Sequence, residues 1–191
     1  MTEAGPVVAL PVPRPGHGRP GAAYRIAVVC LGNICRSPVA DVVIEDRLAA
    51  AGLDDRVGVE SFGTGGWHVG GPMDPRSAEV LTGGGYDATR HRARQYAREH
   101  SADLDLVLGM DAANVADLAP LVDDPARLLR FRDLDPAGRG DVPDPYHGGA
   151  DGFADTLATV ERTADALVAR LADLLGAGAP APATTLGGAT P

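Results

Sequence analysis

A cysteine, five intervening residues and an arginine lie between an apolar run and a helical stretch, in Cys30-Leu31-Gly32-Asn33-Ile34-Cys35-Arg36-Ser37-Pro38. The run before it, Ile26-Ala27-Val28-Val29, reads as a buried strand, and Val39 to Ala51 after it reads as a helix. A turn of this kind at a strand end cradles a phosphate-like dianion. Its backbone N–H groups and the helix N-terminus point inward as fixed positive dipoles. Arg36 adds a planar, permanently charged fork. The same field favours thiolate over thiol, so Cys30 is the candidate nucleophile. Ser37 suits an N-cap and Pro38 suits the first helical turn.

Further along, strand-like and helix-like segments alternate. Arg25 to Cys30, Val57 to Phe62, Leu104 to Met110 and Leu128 to Phe131 read as strands. Besides Val39 to Ala51, helices are expected at Pro75 to Thr82, Arg94 to His100, Asp111 to Ala119 and Gly152 to Leu175. The last carries Phe153, Leu157, Val160, Ala164, Leu167, Val168, Leu171 and Leu175 on one face. This alternation predicts a single α/β domain over residues 23–176. Its four-stranded parallel sheet has helices on both faces, with the phosphate-binding loop after the first strand. Ligands in such sheets bind beyond the carboxyl ends of the strands, where Cys30 falls. Residues 1–22 and 177–191, rich in Pro, Gly, Ala and Thr, read as a disordered leader and tail. Within the leader, Pro11-Val12-Pro13-Arg14-Pro15 also permits a partner-binding role.

Composition removes several classes. The net charge is −9 with no basic stripe, which argues against nucleic acid as a partner. All 17 basic residues are Arg, so neither a Schiff base nor a Walker A lysine can form. Apolar runs fall far short of the roughly 20 residues of a membrane span. The N-terminus has no basic region followed by an apolar core, so no ordinary signal peptide is expected. Two cysteines suit a reducing compartment, and the cytoplasm is the expected location. No His, Cys and carboxylate set has metal-site spacing, so neither metal nor cofactor is expected.

The Cys30 to Pro38 segment resembles the signature of the low-molecular-weight protein tyrosine phosphatases. The likeness extends to Gly63-Thr64-Gly65-Gly66-Trp67, His91-Arg92-Ala93-Arg94-Gln95, Met110-Asp111 with Asn114, and Asp144-Pro145-Tyr146. It runs roughly from Tyr24 to Leu175. Two positions depart from the pattern: His147 stands where many members carry a second Tyr, and Phe62 where a small residue is common.

The resemblance implies a phosphotyrosine hydrolase working through a phosphocysteine. Cys30 would be the nucleophile, Arg36 the phosphate binder and Asp144 the general acid and base. Leu31, Gly32, Asn33, Ile34 and Cys35 would form the cradle. Ser37 would donate to the thiolate, Asn33 and His91 would hold the loop in shape, and Trp67 and Tyr146 would wall an aromatic slot. The implied partner is a phosphotyrosyl protein, a tyrosine kinase among the candidates. Bland readings stand beside these. Cys35 is either core or a thiol that traps oxidised Cys30. Asp144 could be a turn residue before Pro, with Asp133, Asp135, Asp141 and Asp151 as rival acids. Trp67 could be core, and His91 is read as a hydrogen-bonder rather than a catalyst.

Three other functions compete. Arsenate reductase in one lineage resembles this cradle, but its downstream cysteines have no counterpart after Cys35. A protein-arginine phosphatase typically carries Thr where this chain has the bulkier Ile34. A phosphotyrosine-binding module would normally lack the nucleophile, the arginine or the acid.

Overall fold

Tyr24–Cys30 is buried at every one of its seven positions and forms the first strand, β1. Its side chains part by alternation. Tyr24, Ile26, Val28 and Cys30 enter one core, while Ala27 and Val29 enter another on the opposite face. The computed structural model describes residues 8–15 and 23–176. The expected tail, 177–191, lies outside the described residues, as do 1–7 and 16–22.

Three parallel strands join β1: β2 (Val57–Gly63), β3 (Leu106–Gly109) and β4 (Leu128–Arg130), in the order β2-β1-β3-β4. Helix α1 (Arg36–Ala50) buries Val39, Val43, Ile44 and Leu48, a helical spacing, against the first core. The long C-terminal helix α5 (Ala150–Leu174) packs beside it through Val160, Ala164, Leu167 and Leu171. Helix α2 (Pro75–Gly83) lies against α5, and α4 (Ala112–Leu118) packs on β3 and β4. Its Leu118 belongs to the second core. The four-stranded parallel sheet with helices on both faces is as the alternation predicts. No helix among the described residues is long and apolar enough to cross a membrane.

Three local expectations are corrected. Ser37 is not an N-cap: α1 starts at Arg36 after Cys35, and no side chain caps it. The Ser37 hydroxyl is engaged elsewhere, as described below. Arg94 to His100 is not one helix. Gln95 forms an isolated bridge with Gly63, whose N–H donates to the Arg94 carbonyl at 2.8 Å, leaving only Arg98–Ser101 as a short α3. Nor is the leader loose throughout. Val8 and Leu10 pack on the first core, and the Arg14 N–H donates to Asp105 Oδ1 at 2.6 Å. Tyr24 Oη donates to the Pro11 carbonyl, and Arg127 to that of Val12. Residues 8–15 thus strap the amino ends of β1, β3 and β4, the end of the sheet away from Cys30.

Candidate active site

Cys30 is the last residue of β1, and the chain then turns through Leu31 to Cys35 into α1. Four carbonyls of this segment are engaged by neighbouring loops. Those of Cys30 and Leu31 accept from Thr64 and Gly65, that of Ile34 from Asp74, each at 2.8 Å. The Asn33 carbonyl accepts from His91 Nε2 at 2.7 Å. By contrast, no backbone N–H from Leu31 to Cys35 donates to an acceptor among the described residues. Five such donors on one turn make a nest for an anion.

Asn33 fixes the curvature. It is the one non-glycine with positive φ (54°) among the described residues, a conformation Asn tolerates better than most. Its side chain is held at both ends: Nδ2 donates to Ser37 Oγ at 2.9 Å, and Oδ1 accepts from the Arg94 N–H at 2.7 Å. Burial lowers the His91 pKa, which keeps the ring neutral; a carbonyl can only accept, so the proton sits on Nε2. Ser37 Oγ lies 3.0 Å from Cys30 Sγ and 3.1 Å from the Phe62 carbonyl. Both cysteines are free and buried. Burial, reinforced by Asp74, pushes the Cys35 thiol up to about 12.

Arg36 is almost wholly buried. Its Nη1 donates to Asp111 Oδ2 at 2.5 Å and to the Val142 carbonyl, and its Nη2 to Asp144 Oδ2 at 2.8 Å. Its Nε–H is buried without a partner among the described residues. A buried, unsatisfied guanidinium donor costs stability unless a ligand takes it.

Cys30, Leu31, Gly32, Ile34, Cys35, Arg36, Trp67, His68, Asp144, Tyr146 and His147 line one cavity of about 180 Å³. The structure therefore gathers the predicted nucleophile, arginine, acid and aromatic walls in one place. Of the rival acids, none lines this cavity. Asp133 and Asp141 pair with Arg130. Asp135 is buried, yet hydrogen bonds from Arg162 and Arg132 hold its carboxyl down at about 2. Trp67 is exposed rather than core. The side chains of Ser37, Asn33 and His91 hold the loop and do not line the cavity. Phe62 fills the second core edge-on to Tyr96, with its ring centre 4.7 Å from His100. No group of three or more His, Cys, Asp or Glu among the described residues could hold a metal ion.

Sequence reasoning gave no role to Asp111 or His68. Asp111 follows β3, the strand beside β1, and the rule placing ligands at carboxyl ends of such strands would have found it. His68, marked in the sequence only by its place next to Trp67, reaches the wall by lying over Gly32.

Comparison with known proteins agrees with this geometry. Residues 25–175 match the family model described as low molecular weight phosphotyrosine protein phosphatase. A low molecular weight protein-tyrosine-phosphatase of Streptomyces coelicolor is 45% identical over 152 residues, covering 76% of this chain and 92% of that protein. The low molecular weight protein-tyrosine phosphatase A of Mycobacterium tuberculosis is 42% identical over 139 residues, covering 71% and 84%. Among solved structures, YfkJ from Bacillus subtilis superposes with a TM-score of 0.74 at 30% identity, over 85% of this chain and 100% of that one. Vibrio vulnificus Wzb in complex with benzylphosphonate gives 0.69 at 26% identity, over 77% and 98%. The chain therefore belongs to the low molecular weight phosphotyrosine protein phosphatases, a family of protein-tyrosine-phosphatase enzymes.

Proposed function

We propose that this protein hydrolyses phosphotyrosine in protein substrates through a phosphocysteine on Cys30. The observation that carries the reading is the turn itself: four carbonyls engaged, five N–H groups uncommitted among the described residues, and Cys30 lining the same cavity as the turn. Three phosphoryl oxygens sit among these donors and the free Arg36 Nε–H, which stabilise the charge that shifts during transfer. Cys30 thiolate attacks phosphorus in line as the bond to the tyrosyl oxygen breaks. Asn33 donates into Ser37 Oγ, so the Ser37 proton can be turned from the Phe62 carbonyl to the sulfur.

Asp144 delivers a proton to the leaving oxygen, then takes one from the water that attacks the phosphocysteine and frees Cys30 and inorganic phosphate. Asp144 is paired with Arg36 Nη2 in the phosphate-free site. An entering phosphate competes for that donor and releases the carboxyl toward the leaving group.

An aryl ester suits the cavity because Trp67 and Tyr146 line it as flat walls. The benzylphosphonate in the related Wzb structure carries an aryl group on a phosphate-like head and supports this choice. Ile34 on the wall disfavours a charged phosphoguanidine, so phosphoarginine is the weaker substrate. The reaction needs a reduced Cys30, which suits the cytoplasm. Phosphate release from one peptide bearing phosphotyrosine, phosphoserine or phosphoarginine tests the reading. Vanadate-sensitive release from the tyrosyl form alone is expected. Preference for phosphoarginine overturns the specificity, and no release from any form overturns the activity.

A further inference from the structure

Trp67 is 74% exposed, and it is the only tryptophan in the chain. It does not dangle: a Cβ placed on Gly65 would lie 1.8 Å from the indole, so the ring is seated against the bare backbone of that glycine. One role is already given to it, as a wall of the Cys30 cavity. A second hollow, an open groove of about 450 Å³, is also lined by Trp67, with Val69, Pro72, Met73 and Pro75. The two hollows share Ile34, Trp67, His68 and Tyr146, so the groove adjoins the cavity across these four side chains. Of the exposed large apolar side chains among the described residues, Leu31, Trp67, Val69 and Tyr146 ring these two hollows, and Val12 alone lies elsewhere. Apolar surface concentrated at a cleft mouth marks a binding surface.

The charge of the groove narrows its ligand. Asp74 is the only acid lining it, and Arg76 Nε and Nη2 already hold both of its carboxylate oxygens, at 3.0 and 2.9 Å. No arginine lines it. A carboxylate would lose water against proline, valine and methionine, with Asp74 repelling it and no arginine lining the groove to pair with it. An aliphatic side chain would gain by burial.

We propose that this groove is a second subsite, taking an aliphatic side chain of the substrate polypeptide two residues from the phosphotyrosine. This rests on the tyrosine-phosphatase reading. In an extended chain, residues i and i±2 point the same way about 7 Å apart, so a chain with its phosphotyrosine in the cavity presents a second side chain toward the adjoining groove. The subsite makes the enzyme selective for tyrosines flanked by Leu, Ile or Val over those flanked by acids.

The test uses the full chain and short phosphotyrosyl peptides carrying Leu, Ala or Glu at −2 or at +2. p-Nitrophenyl phosphate, which has no polypeptide to reach the groove, is the internal reference. At one of the two positions, Leu should raise kcat/KM about tenfold over Glu, with Ala between. Val69→Ser and Val69→Asp should shrink the Leu preference while leaving p-nitrophenyl phosphate turnover within about twofold, since Val69 is mostly exposed and outside the catalytic cavity. Equal rates for all three residues at both positions, with the peptides still hydrolysed, overturn the subsite alone. So does a Leu preference unchanged in both variants. No release from any phosphotyrosyl peptide overturns the tyrosine reading and the subsite with it.

Discussion

Arg36 Nη2 and Asp144 Oδ2 are joined at 2.8 Å across the mouth of the phosphate cradle, although 108 residues separate them. The candidate acid and the candidate phosphate binder therefore hold each other when no phosphate is present. Replacing Asp144 with Ala should remove a competitor for Arg36, so inorganic phosphate binding by calorimetry should hold or tighten. Turnover should fall about 10²–10³-fold for phenyl phosphate, whose leaving oxygen needs a proton, and far less for 2,4-dinitrophenyl phosphate. Equal losses with both esters would remove Asp144 from the acid's role.

Arg36→Lys keeps the charge but loses the fork. Asp111, Asp144 and the Val142 carbonyl are all held by this one guanidinium. A point charge with different reach cannot serve these and a phosphate together. kcat/KM should drop at least about a hundredfold, and vanadate should bind more weakly by a similar factor. Wild-type vanadate affinity in the variant would contradict this role.

Asp41 gives a pH signature to stability. It faces β2 from α1, with Ser61 Oγ donating to its Oδ2 at 2.8 Å and its Oδ1 buried without a partner among the described residues. Burial, opposed by the Ser61 hydrogen bond and helped by Glu45, pushes its carboxyl up to about 7 from an ordinary 3.8. The folded state thus keeps a proton that the unfolded chain releases. The associated stability is complete below the ordinary value and is lost as the pH rises to and through 7. Asp41→Asn should therefore stabilise the protein increasingly from pH 5 to pH 8, reaching about 5 °C in Tm. A gap between variant and wild type that does not change with pH would contradict the assignment.

The strap of residues 8–15 should affect stability and not chemistry. Asp105 is 4% exposed and accepts from the Arg14 N–H at Oδ1 and from the Arg25 N–H at Oδ2. Removing residues 1–15 takes one donor from a buried carboxylate and strips Val8 and Leu10 from the core. A Tm lower by about 3–8 °C is expected, with kcat for p-nitrophenyl phosphate unchanged. An unchanged Tm would show that the strap bears no load.

What was legible in the sequence was local. The cradle could be read because its nucleophile, its backbone donors and Arg36 are contiguous between a strand and a helix. Ser37 shows the limit of local reading: it has the chemistry of a cap, but the neighbouring strand end offers Cys30 Sγ and the Phe62 carbonyl instead. Arg94 to Tyr96 was drawn out of helix by the backbone of Gly63, a partner more than thirty residues away. The hold of Asp105 on Arg14 spans 91 residues and leaves no mark in a segment whose Pro and Gly content reads as loose.

The proposed hydrolysis passes through a covalent phosphocysteine on Cys30, which a chemical quench can trap. The Asp144→Asn protein, mixed with 2,4-dinitrophenyl phosphate and quenched in acid within its first turnover, should carry one phosphoryl group. Peptide mapping should place it on Cys30, and Cys30→Ser should form no such phosphothioester while still binding vanadate. Phosphate release at full rate from Cys30→Ser, or a phosphoryl group mapped to another residue, would rule out Cys30 as the nucleophile.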